Sequence, residues 1–407
     1  MDTTLLANEY GTPLYVYSKT RILDNFKRLK EAFNKANVDI NIHYAIKANN
    51  NLAILHLLKK AGAGVDASCF NEIELARHAG FSSDKIINTG NNNPNADLAH
   101  ALKYVDKINL DDISILPRLL KFGKPNILSF RLNPLVGSGS HSTNVFGGKQ
   151  SKFGMDAETA LHAYQMAQKA GVKKFGIHMM PGTGGLDPDA YPNATKILIE
   201  TMETIAQKTG IRFEFMNIGG GFGIPYRPTE KPLDMEKIAK KIAILYQAAR
   251  ERGLIGTPTL DCEPGRYIVG DAGILLARVH TVKESYKRYA GTDAGMNVML
   301  RPALHGSYHE VICANKMSAK AKKDYPFCGP ICENGDQYPE PYRLPDLEEG
   351  NLLAVLNTGA YGYSMANNYN TQLRPAEVLV DEAKHHLIRK RETLKDIVRG
   401  MMVPRDF

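Results

Sequence analysis

The chain has 407 residues, of which 43% are hydrophobic and 23% charged, a composition typical of a globular protein with more than one domain. Its formal net charge is +8, but Lys and Arg are interspersed with carboxylates, which favours small anionic molecules over nucleic acid as partners. No stretch approaches the roughly 18 apolar residues of a membrane span, and the first residues show no secretory pattern. We therefore expect a cytoplasmic protein that binds neither nucleic acid nor membranes.

The cysteine pattern gives little reason to expect disulfides or a metal site. The chain has five cysteines, an odd number, and Cys328 and Cys332 form a CxxxC pair without the second cluster typical of zinc. We therefore predict no metal site. Whether Cys328 ever pairs with Cys332 stays open.

Short β-branched or aromatic runs alternate with longer amphipathic stretches over the first two thirds of the chain. The predicted strands are Asn41–Ile46, Gly64–Ala67, Lys85–Asn88, Lys107–Leu110, Ile127–Leu132, Lys174–His178, Phe213–Ile218 and Thr259–Cys262. The predicted helices are Leu52–Ala61, Glu72–His78, Asn95–Tyr104, Ile113–Lys121, Ala157–Ala170, Ala190–Gln207 and Met235–Arg252. Eight strands with seven helices between them, within roughly 230 residues, predict a (β/α)8 TIM barrel, since an open doubly wound sheet ordinarily holds fewer strands.

A second domain is predicted from about residue 276 onwards. Segments such as ILLARVHTVKES, NLLAVLNT and AEVLVDE are strand-like and are separated by turn residues. The N-terminal TPLYVYS is also strand-like, so we expect it to pair with this domain. The expected organisation is a barrel at 20–275 and a C-terminal β-sandwich or β-barrel domain at 276–407 that includes residues 1–19. The basic tail from Glu382 to Phe407 has a helical pattern and no assigned function.

Lys47 follows the first barrel strand in IHYAIKANN, where the strand meets the loop on the face that carries barrel active sites. A lysine amine can form a Schiff base with an aldehyde cofactor if part of it is unprotonated. An isolated lysine at a strand end is nevertheless most often a solvated loop residue, so other motifs must support this interpretation.

Two further motifs are suited to binding a phosphate. The segment MNIGGGFG (Met216–Gly223) places glycines directly after an apolar strand, where backbone N–H groups can approach an anion with no Cβ in the way. At the end of the eighth strand, DCEPGRY brings Glu263, Gly265 and Arg266 together. The glycine and arginine can complete an anion site, and the carboxylate can keep a pyridine nitrogen protonated. A structural turn and a surface salt bridge are the alternatives.

Nine motifs then occur in the order of a known family: YAIKAN, GVDAS, SFRLNP, SKFG, IGGGFG, EPGR, DAGMN, RPAL and CENGD. From about Tyr10 to Asp381 the chain resembles the group IV (fold type III) decarboxylases, which use pyridoxal phosphate, and within that family the diaminopimelate decarboxylases. The resemblance implies an alanine-racemase-like barrel, a C-terminal β domain, and a homodimer with active sites shared across the interface.

The resemblance also implies roles for individual residues. Lys47 would carry pyridoxal 5'-phosphate, Glu263 would pair with the pyridine nitrogen, and Cys332 would return a proton to the substrate. The other implied cofactor-binding residues are His178, Thr183, Gly220, Gly221, Gly265, Arg266 and Tyr361. The implied substrate-binding residues are Arg266, Arg301, His305, Glu333 and Tyr361, with Asp336 in the same loop as Glu333.

Three features depart from the family pattern. The family motif HxHIGS is HMMPGT here, so Met180 stands where a histidine usually stacks on the cofactor ring. RPALY is RPALH, which puts His305 where a tyrosine usually helps to hold the substrate. The loop GNNNPNAD lacks the lysine commonly found after its glycine. These changes concern the substrate more than the cofactor chemistry.

Three functional hypotheses therefore stay open. The first is decarboxylation of meso-diaminopimelate to L-lysine and CO2. The second is a paralogous decarboxylase of another diamino acid, or of a conjugate in siderophore or antibiotic synthesis. The third is an amino-acid racemase or a non-catalytic cofactor-binding protein, against which Glu263 and the long segment beyond the barrel both argue.

Overall fold

The protein is represented by a computed structural model that describes residues 2–135, 148 and 150–406. It divides into two compact units. The β unit comprises Met1–Ile22, Tyr226–Glu230 and Val269–Phe407. The barrel unit comprises Leu23–Pro225 and Lys231–Ile268.

The elements follow one another in chain order with short connections. The strands are β1 Leu14–Ser18, β2 Ile40–Ala45, β3 Gly64–Ala67, β4 Ile86–Thr89, β5 Lys107–Leu110, β6 Ile127–Leu132, β7 Phe175–Met179, β8 Phe213–Asn217, β9 Thr259–Cys262, β10 Gly273–Glu284, β11 Arg288–Thr292, β12 Val311–Cys313, β13 Lys323–Tyr325, β14 Phe327–Cys328, β15 Tyr342–Leu344, β16 Leu352–Val355, β17 Ala376–Asp381 and β18 Lys384–Arg389. The helices are α1 Thr3–Tyr10, α2 Lys19–Lys35, α3 Leu52–Lys60, α4 Phe70–His78, α5 Asn95–Tyr104, α6 Leu116–Leu120, α7 Ala157–Lys169, α8 Ala190–Thr209, α9 Met235–Glu251, α10 Arg266–Val269, α11 Arg301–His305 and α12 Leu394–Val398. Within the described ranges, none of the helices combines the length and apolarity needed to cross a membrane.

The barrel unit is a closed parallel barrel of β2 to β9 in sequence order. It closes where Asn41 of β2 pairs with Asp261 of β9. The strands are short and almost entirely buried, as expected for a parallel sheet covered by helices. The predicted TIM barrel is therefore confirmed, and each observed strand lies within one residue of its predicted limits.

Capping residues explain why the barrel helices begin and end where they do. Asp156 precedes α7 and accepts a hydrogen bond from the N–H of Thr159, and Asp234 caps α9 in the same way. Helix α8 ends at Gly210, which has a left-handed conformation with φ of 72°. A carboxylate at a helix start and a glycine at its end are common termination signals.

The β unit is built around a sheet in the order β12-β16-β10-β1-β17-β18. Strand β1 lies in the interior of this sheet, antiparallel to β10 and parallel to β17. The expectation that the N-terminal strand pairs with C-terminal segments is therefore confirmed. The sheet packs on a core of Leu6, Ala7, Leu14, Val16, Leu276, Leu352, Ala354, Ala376 and Val378.

The predicted helical tail is wrong for residues 384–389. These residues form β18, which pairs antiparallel with β17, and the helix α12 spans only Leu394–Val398. Pairing with the exposed edge of β17 overrides the local helical pattern of this segment. The boundary expected near residue 275 falls within β10, since this strand begins at Gly273.

Candidate active site

The C-terminal ends of the barrel strands carry a ring of polar side chains. In a parallel barrel these ends all open onto one face, here called the barrel mouth. The polar residues at or next to the strand ends include Lys47 (after β2), Asp66 (β3), Thr89 (β4), His178 (β7), Asn217 (β8) and Glu263 (after β9).

Lys47 and Asp66 form an ion pair in the barrel mouth. Lys47 lies in a single 3-10 turn, Ile46–Ala48, directly after β2. Its Nζ is 2.5 Å from Oδ2 of Asp66, whose side chain is fully buried, whereas the lysine side chain is 43% exposed. The amine is therefore held by a buried carboxylate while its side chain remains accessible.

The protonation of Asp66 is set by opposing effects. Burial and the negative charge of Glu263 raise the pKa of Asp66 to about 6, although Lys47 acts in the opposite direction. Its Oδ1 atom is buried and accepts no hydrogen bond from the described residues. Asp66 can therefore take up or release a proton close to neutral pH next to the Lys47 amine.

Glu263 is held by three hydrogen-bond donors from three different strands. Thr89 Oγ1 and Asn217 Nδ2 donate to its Oε1 at 3.1 and 2.9 Å. His178 Nε2 lies 2.9 Å from its Oε2. Burial alone would raise the pKa of Glu263, but its interaction with His178, together with nearby Lys47 and His43, lowers it to about 2. Glu263 is therefore a carboxylate at neutral pH.

The glycine-rich turn after β8 packs tightly against the loop after β7. The N–H of Gly184 donates to the carbonyl of Gly221 at 2.8 Å. Gly221 has φ of 84°, and a Cβ at this position would overlap the carbonyl oxygen of Gly182. Thr183 lies in the same β7 loop and is mostly buried. Only glycine fits such a position, which explains the spacing of this motif.

Met180 contacts this turn directly. In the structure the N–H of Gly220 donates to Met180 Sδ at 3.1 Å. A Cβ at Gly221 would lie 3.3 Å from Cε of the same methionine. The residue that departs from the family pattern therefore packs on the glycines that were predicted to bind phosphate.

The EPGR turn packs beside the turn that carries Lys47. The N–H of Ala45 donates to the carbonyl of Pro264 at 3.2 Å, and a Cβ at Gly265 would lie 2.8 Å from that of Ala48. Arg266 is buried and begins α10. The barrel thus brings together the predicted Schiff-base lysine, the glycines of both motifs, and Glu263.

The β unit contains the remaining predicted residues. Arg301 begins α11, is buried, and donates to Tyr226 Oη at 2.9 Å and Ser307 Oγ at 3.1 Å. His305 ends α11 and is half-buried. Tyr361 has φ of 56°, a left-handed conformation that is rare for an aromatic residue and is often found at functional sites.

The CENGD loop of the β unit presents Cys332 and Glu333 on its surface. Both side chains are exposed, and Cys332 is a free thiol. Glu333 accepts a hydrogen bond from Tyr369 Oη at 2.6 Å. Asp336 is buried instead and accepts backbone N–H groups, including that of Ile331 at 2.7 Å. Asp336 therefore holds the loop from within.

Sequence reasoning assigned no role to Asp66, Thr89, Asn217 or Tyr369. Asp66 and Asn217 lie inside recognised motifs, GVDAS and MNIGGGFG, and both are polar residues at the end of a buried strand. That signal could have identified them. Among the described residues, no group of three or more His, Cys, Asp or Glu side chains is arranged to hold a metal ion.

The barrel mouth fits an aldehyde cofactor that carries a phosphate and an aromatic nitrogen. Lys47 offers an accessible amine for covalent attachment. The glycine turns allow close approach of an anion, since a Cβ at Gly221 would overlap neighbouring backbone. Glu263 is an anion that can pair with a protonated ring nitrogen. Pyridoxal phosphate has all of these groups.

The fold and this site define a member of the pyridoxal-phosphate barrel enzymes. Residues 19–270 match the family model for the pyridoxal binding domain of pyridoxal-dependent decarboxylases. The chain belongs to this family, and its cofactor is pyridoxal 5'-phosphate. The resemblance based on the nine motifs is thereby confirmed.

Individual relatives match over nearly the whole chain. Diaminopimelate decarboxylase of Methanothermobacter thermautotrophicus is 44% identical over 404 residues, which cover 99% of this chain and 94% of the relative. Protein TabA of Pseudomonas amygdali pv. tabaci is 34% identical over 96% of this chain and 91% of its own length. The structure of diaminopimelate decarboxylase from M. jannaschii in complex with L-lysine is 33% identical, with a TM-score of 0.91, and covers 100% of this chain and 95% of that one.

Proposed function

We propose that the protein decarboxylates meso-diaminopimelate to L-lysine and CO2, with pyridoxal phosphate held on Lys47. The observation that supports this reaction type is the carboxylate Glu263, held by three donors in the same barrel mouth as the lysine. Racemases of this fold prefer an arginine opposite the ring nitrogen. The relatives named diaminopimelate decarboxylase support the choice of substrate.

When bound, the cofactor supplies an electron-withdrawing ring that stabilises the electron pair left after CO2 departs. Lys47 Nζ would hold the cofactor and yield its place to the substrate amine. Asp66, whose Oδ2 lies 2.5 Å from Lys47 Nζ, would take up the proton of the lysine amine and return it. Glu263 would keep the ring nitrogen protonated. Gly220, Gly221 and Gly265 would hold the phosphate, with Thr183, Arg266 and Tyr361, and the N–H of Gly220 would exchange Met180 Sδ for a phosphate oxygen.

The β unit would supply substrate recognition and the final proton. Arg301 would bind a substrate carboxylate, assisted by His305 and Tyr361, and Glu333 would bind the distal end of the substrate. The thiol of Cys332, which is exposed, would return a proton to Cα. If Cys332→Ala changed neither the rate of turnover nor the fidelity of reprotonation, this assignment would be wrong.

The proposed assembly is a homodimer in the cytoplasm with shared active sites. Its test is complementation: Lys47→Ala and Cys332→Ala proteins are each purified, then mixed under conditions that allow subunit exchange. If the sites are shared, mixed dimers contain one site with both native residues, and activity reappears on mixing. If each chain contains a complete site, mixing leaves both variants inactive.

The substrate is tested by direct comparison. The purified enzyme is incubated with meso-diaminopimelate, ornithine, D-lysine and citryl-diamine conjugates, and released CO2 is measured with Lys47→Ala as the control. We expect the highest kcat/KM for meso-diaminopimelate. A preference for ornithine, D-lysine or a conjugate would support the paralogous decarboxylase, which Met180 and His305 favour. Isotope exchange at Cα without CO2 release would support a racemase.

A further inference from the structure

We propose that Thr89, Asn217 and His178 are positioning residues that fix Glu263 in place as an anion opposite the pyridine nitrogen. The inference rests on the proposed role of Glu263 and extends it to three residues that would act through this carboxylate. It also changes the expectation for His178, which was predicted to bind the cofactor itself.

The geometry leaves Glu263 little freedom. Its three donors come from β4, β7 and β8, so the carboxylate is held from three directions. Asn217 and His178 are fully buried and Glu263 is nearly so. A carboxylate has about four lone-pair sites, and three donors occupy three of them. One site therefore remains for an incoming ring N–H.

The role of His178 follows from its surroundings. Its Nε2 must carry a proton to bond the carboxylate of Glu263. Its Nδ1 is buried and has no hydrogen-bond partner among the residues that the structure describes. Among the described residues, His178 therefore acts on the site through Nε2 alone, as a donor to Glu263.

Other ionisable groups influence this carboxylate or are influenced by it. They are Lys47, His43, Asp66, Arg131 and Cys262. Asp66 is the second carboxyl group of the site. Burial and the negative charge of Glu263 raise the pKa of Asp66. The two carboxyl groups differ in their hydrogen bonds. Three donors bond to Glu263, whereas Oδ1 of Asp66 accepts no hydrogen bond from the described residues.

The test uses variants that change one donor at a time. Thr89→Val removes the hydroxyl and keeps the shape, and Thr89→Ser is its matched control because it restores the hydroxyl. Asn217→Leu removes the amide donor and keeps nearly the same shape. His178→Gln retains an N–H donor at a similar reach. Each holoenzyme is reconstituted with pyridoxal phosphate labelled with ¹⁵N in the ring, and the ¹⁵N chemical shift is followed against pH together with cofactor affinity.

We expect the ring nitrogen of the wild-type enzyme to remain protonated across neutral pH. Thr89→Val should lower the pH at which it loses its proton, Asn217→Leu should act in the same direction, and Thr89→Ser should return it towards wild type. Because a hydrogen bond to a charged group is lost, kcat should fall about ten- to a hundredfold in Thr89→Val and Asn217→Leu. His178→Gln should lie between these variants and wild type.

A Glu263→Gln holoenzyme separates this inference from the proposed function. If Glu263→Gln leaves the ring nitrogen protonated, the proposed role of Glu263 itself is wrong. If Glu263→Gln removes the proton while Thr89→Val and Asn217→Leu retain the wild-type ¹⁵N profile, the positioning role is wrong and the proposed function stands. Should Asn217→Leu fail to fold by circular dichroism, the Thr89→Val and Thr89→Ser pair decides the question.

Discussion

Asp66 lies next to the Lys47 amine that we propose as the attachment point of the cofactor. A carboxylate 2.5 Å away stabilises the ammonium form, whereas covalent attachment requires the neutral amine. Because its pKa is raised to about 6, Asp66 accepts a proton more readily than an ordinary aspartate. A proton can therefore pass between Lys47 and Asp66 when the lysine amine forms or breaks its bond to the cofactor.

Asp66→Asn should make cofactor attachment possible at lower pH. Without the carboxylate the ammonium form of Lys47 loses its stabilisation, so the neutral amine should form at lower pH. The rate at which the cofactor attaches to the apoenzyme, followed by absorbance against pH, should shift its midpoint accordingly. The exposed Asp39→Asn is the control. An unshifted midpoint would show that the pair does not govern the amine.

Sequence alone singled out some of the residues that lie in recognisable motifs, but it missed Asp66 and Asn217 in those motifs and the residues that only the fold brings into the site. Lys47 and Glu263 were predicted because a strand end and an EPGR turn mark them. Thr89 lies in no motif, and it joins the site only because closure of the barrel brings β4 within hydrogen-bond distance of Glu263. Thr89 and Glu263 are 174 positions apart, so the sequence around either residue cannot indicate that they are in contact.

At the scale of elements, the glycine turn after β8 is the segment that we propose to bind the phosphate of the cofactor. Gly221 has both a left-handed conformation and a neighbouring carbonyl where a side chain would lie. Gly210, at the end of α8, has a similar φ of 72°, but no atom lies within 4 Å of the place that a Cβ would occupy. Substituting alanine at Gly210 therefore measures the cost of backbone strain alone. The same substitution at Gly221 adds the cost of a steric overlap.

Gly221→Ala should lose cofactor affinity as well as stability. Gly210→Ala should destabilise the protein by about 1–2 kcal/mol, the cost of a left-handed conformation for an L-residue. Gly221→Ala should cost more, because the turn must also move away from Gly182. Urea unfolding and equilibrium binding of pyridoxal phosphate measure the two effects. Equal losses of stability and unaltered cofactor binding in both variants would contradict the close packing of this turn.

The barrel strands were predictable because parallel strands covered on both faces are continuous apolar runs with clear ends. The segment KHHLIR in the tail has no such run. It becomes β18 only because β17 offers an unpaired edge. Tertiary pairing of this kind decides the structure of short, polar segments, and a local pattern cannot reveal it.

At the scale of the whole molecule, the two ends of the chain are joined in one sheet. Tyr17 of β1 donates to Glu377 of β17 at 2.7 Å, and Arg389 of β18 donates to the same carboxylate. Glu377 is fully buried. The stability of the β unit therefore depends on polar contacts between residues 360 positions apart.

Tyr17→Phe should destabilise the β unit by about 1–3 kcal/mol, because a buried carboxylate loses one of its donors. Tyr286→Phe is the matched control, since that side chain is fully exposed and should have almost no effect. Chemical denaturation followed by circular dichroism measures both. Similar free energies of unfolding for the two variants would show that the bond to Glu377 contributes nothing.

Acid sensitivity should come from buried carboxylates of the barrel. Asp261 lies 2.6 Å from Lys107 Nζ and 3.2 Å from His43 Nε2. Burial alone would raise the pKa of Asp261, but these two partners hold it well below its usual range. A carboxyl group with a lowered folded-state pKa contributes stability above the unfolded value of about 4, and this contribution is lost as the pH falls.

Asp261→Asn should therefore be less stable than wild type at neutral pH, by about 3–5 kcal/mol for a broken buried pair. The difference should shrink as the pH falls below about 4, because Asp261 of the unfolded wild-type chain takes up a proton there while the folded carboxylate stays ionised. Thermal unfolding from neutral to acid pH measures this, with the exposed Asp24→Asn as control. A difference in stability that stayed constant with pH would contradict the lowered pKa.

The position of β1 inside its sheet also affects the order in which the protein can fold during synthesis. Residues 14–18 leave the ribosome early, but their partners in β10 and β17 are made only after residues 272 and 375. The barrel unit ends at Ile268, so its strands can all pair before β17 exists. Until β10 and β17 have been synthesised, the apolar strand β1 has no strand partner. We expect chaperones to bind the nascent chain at β1.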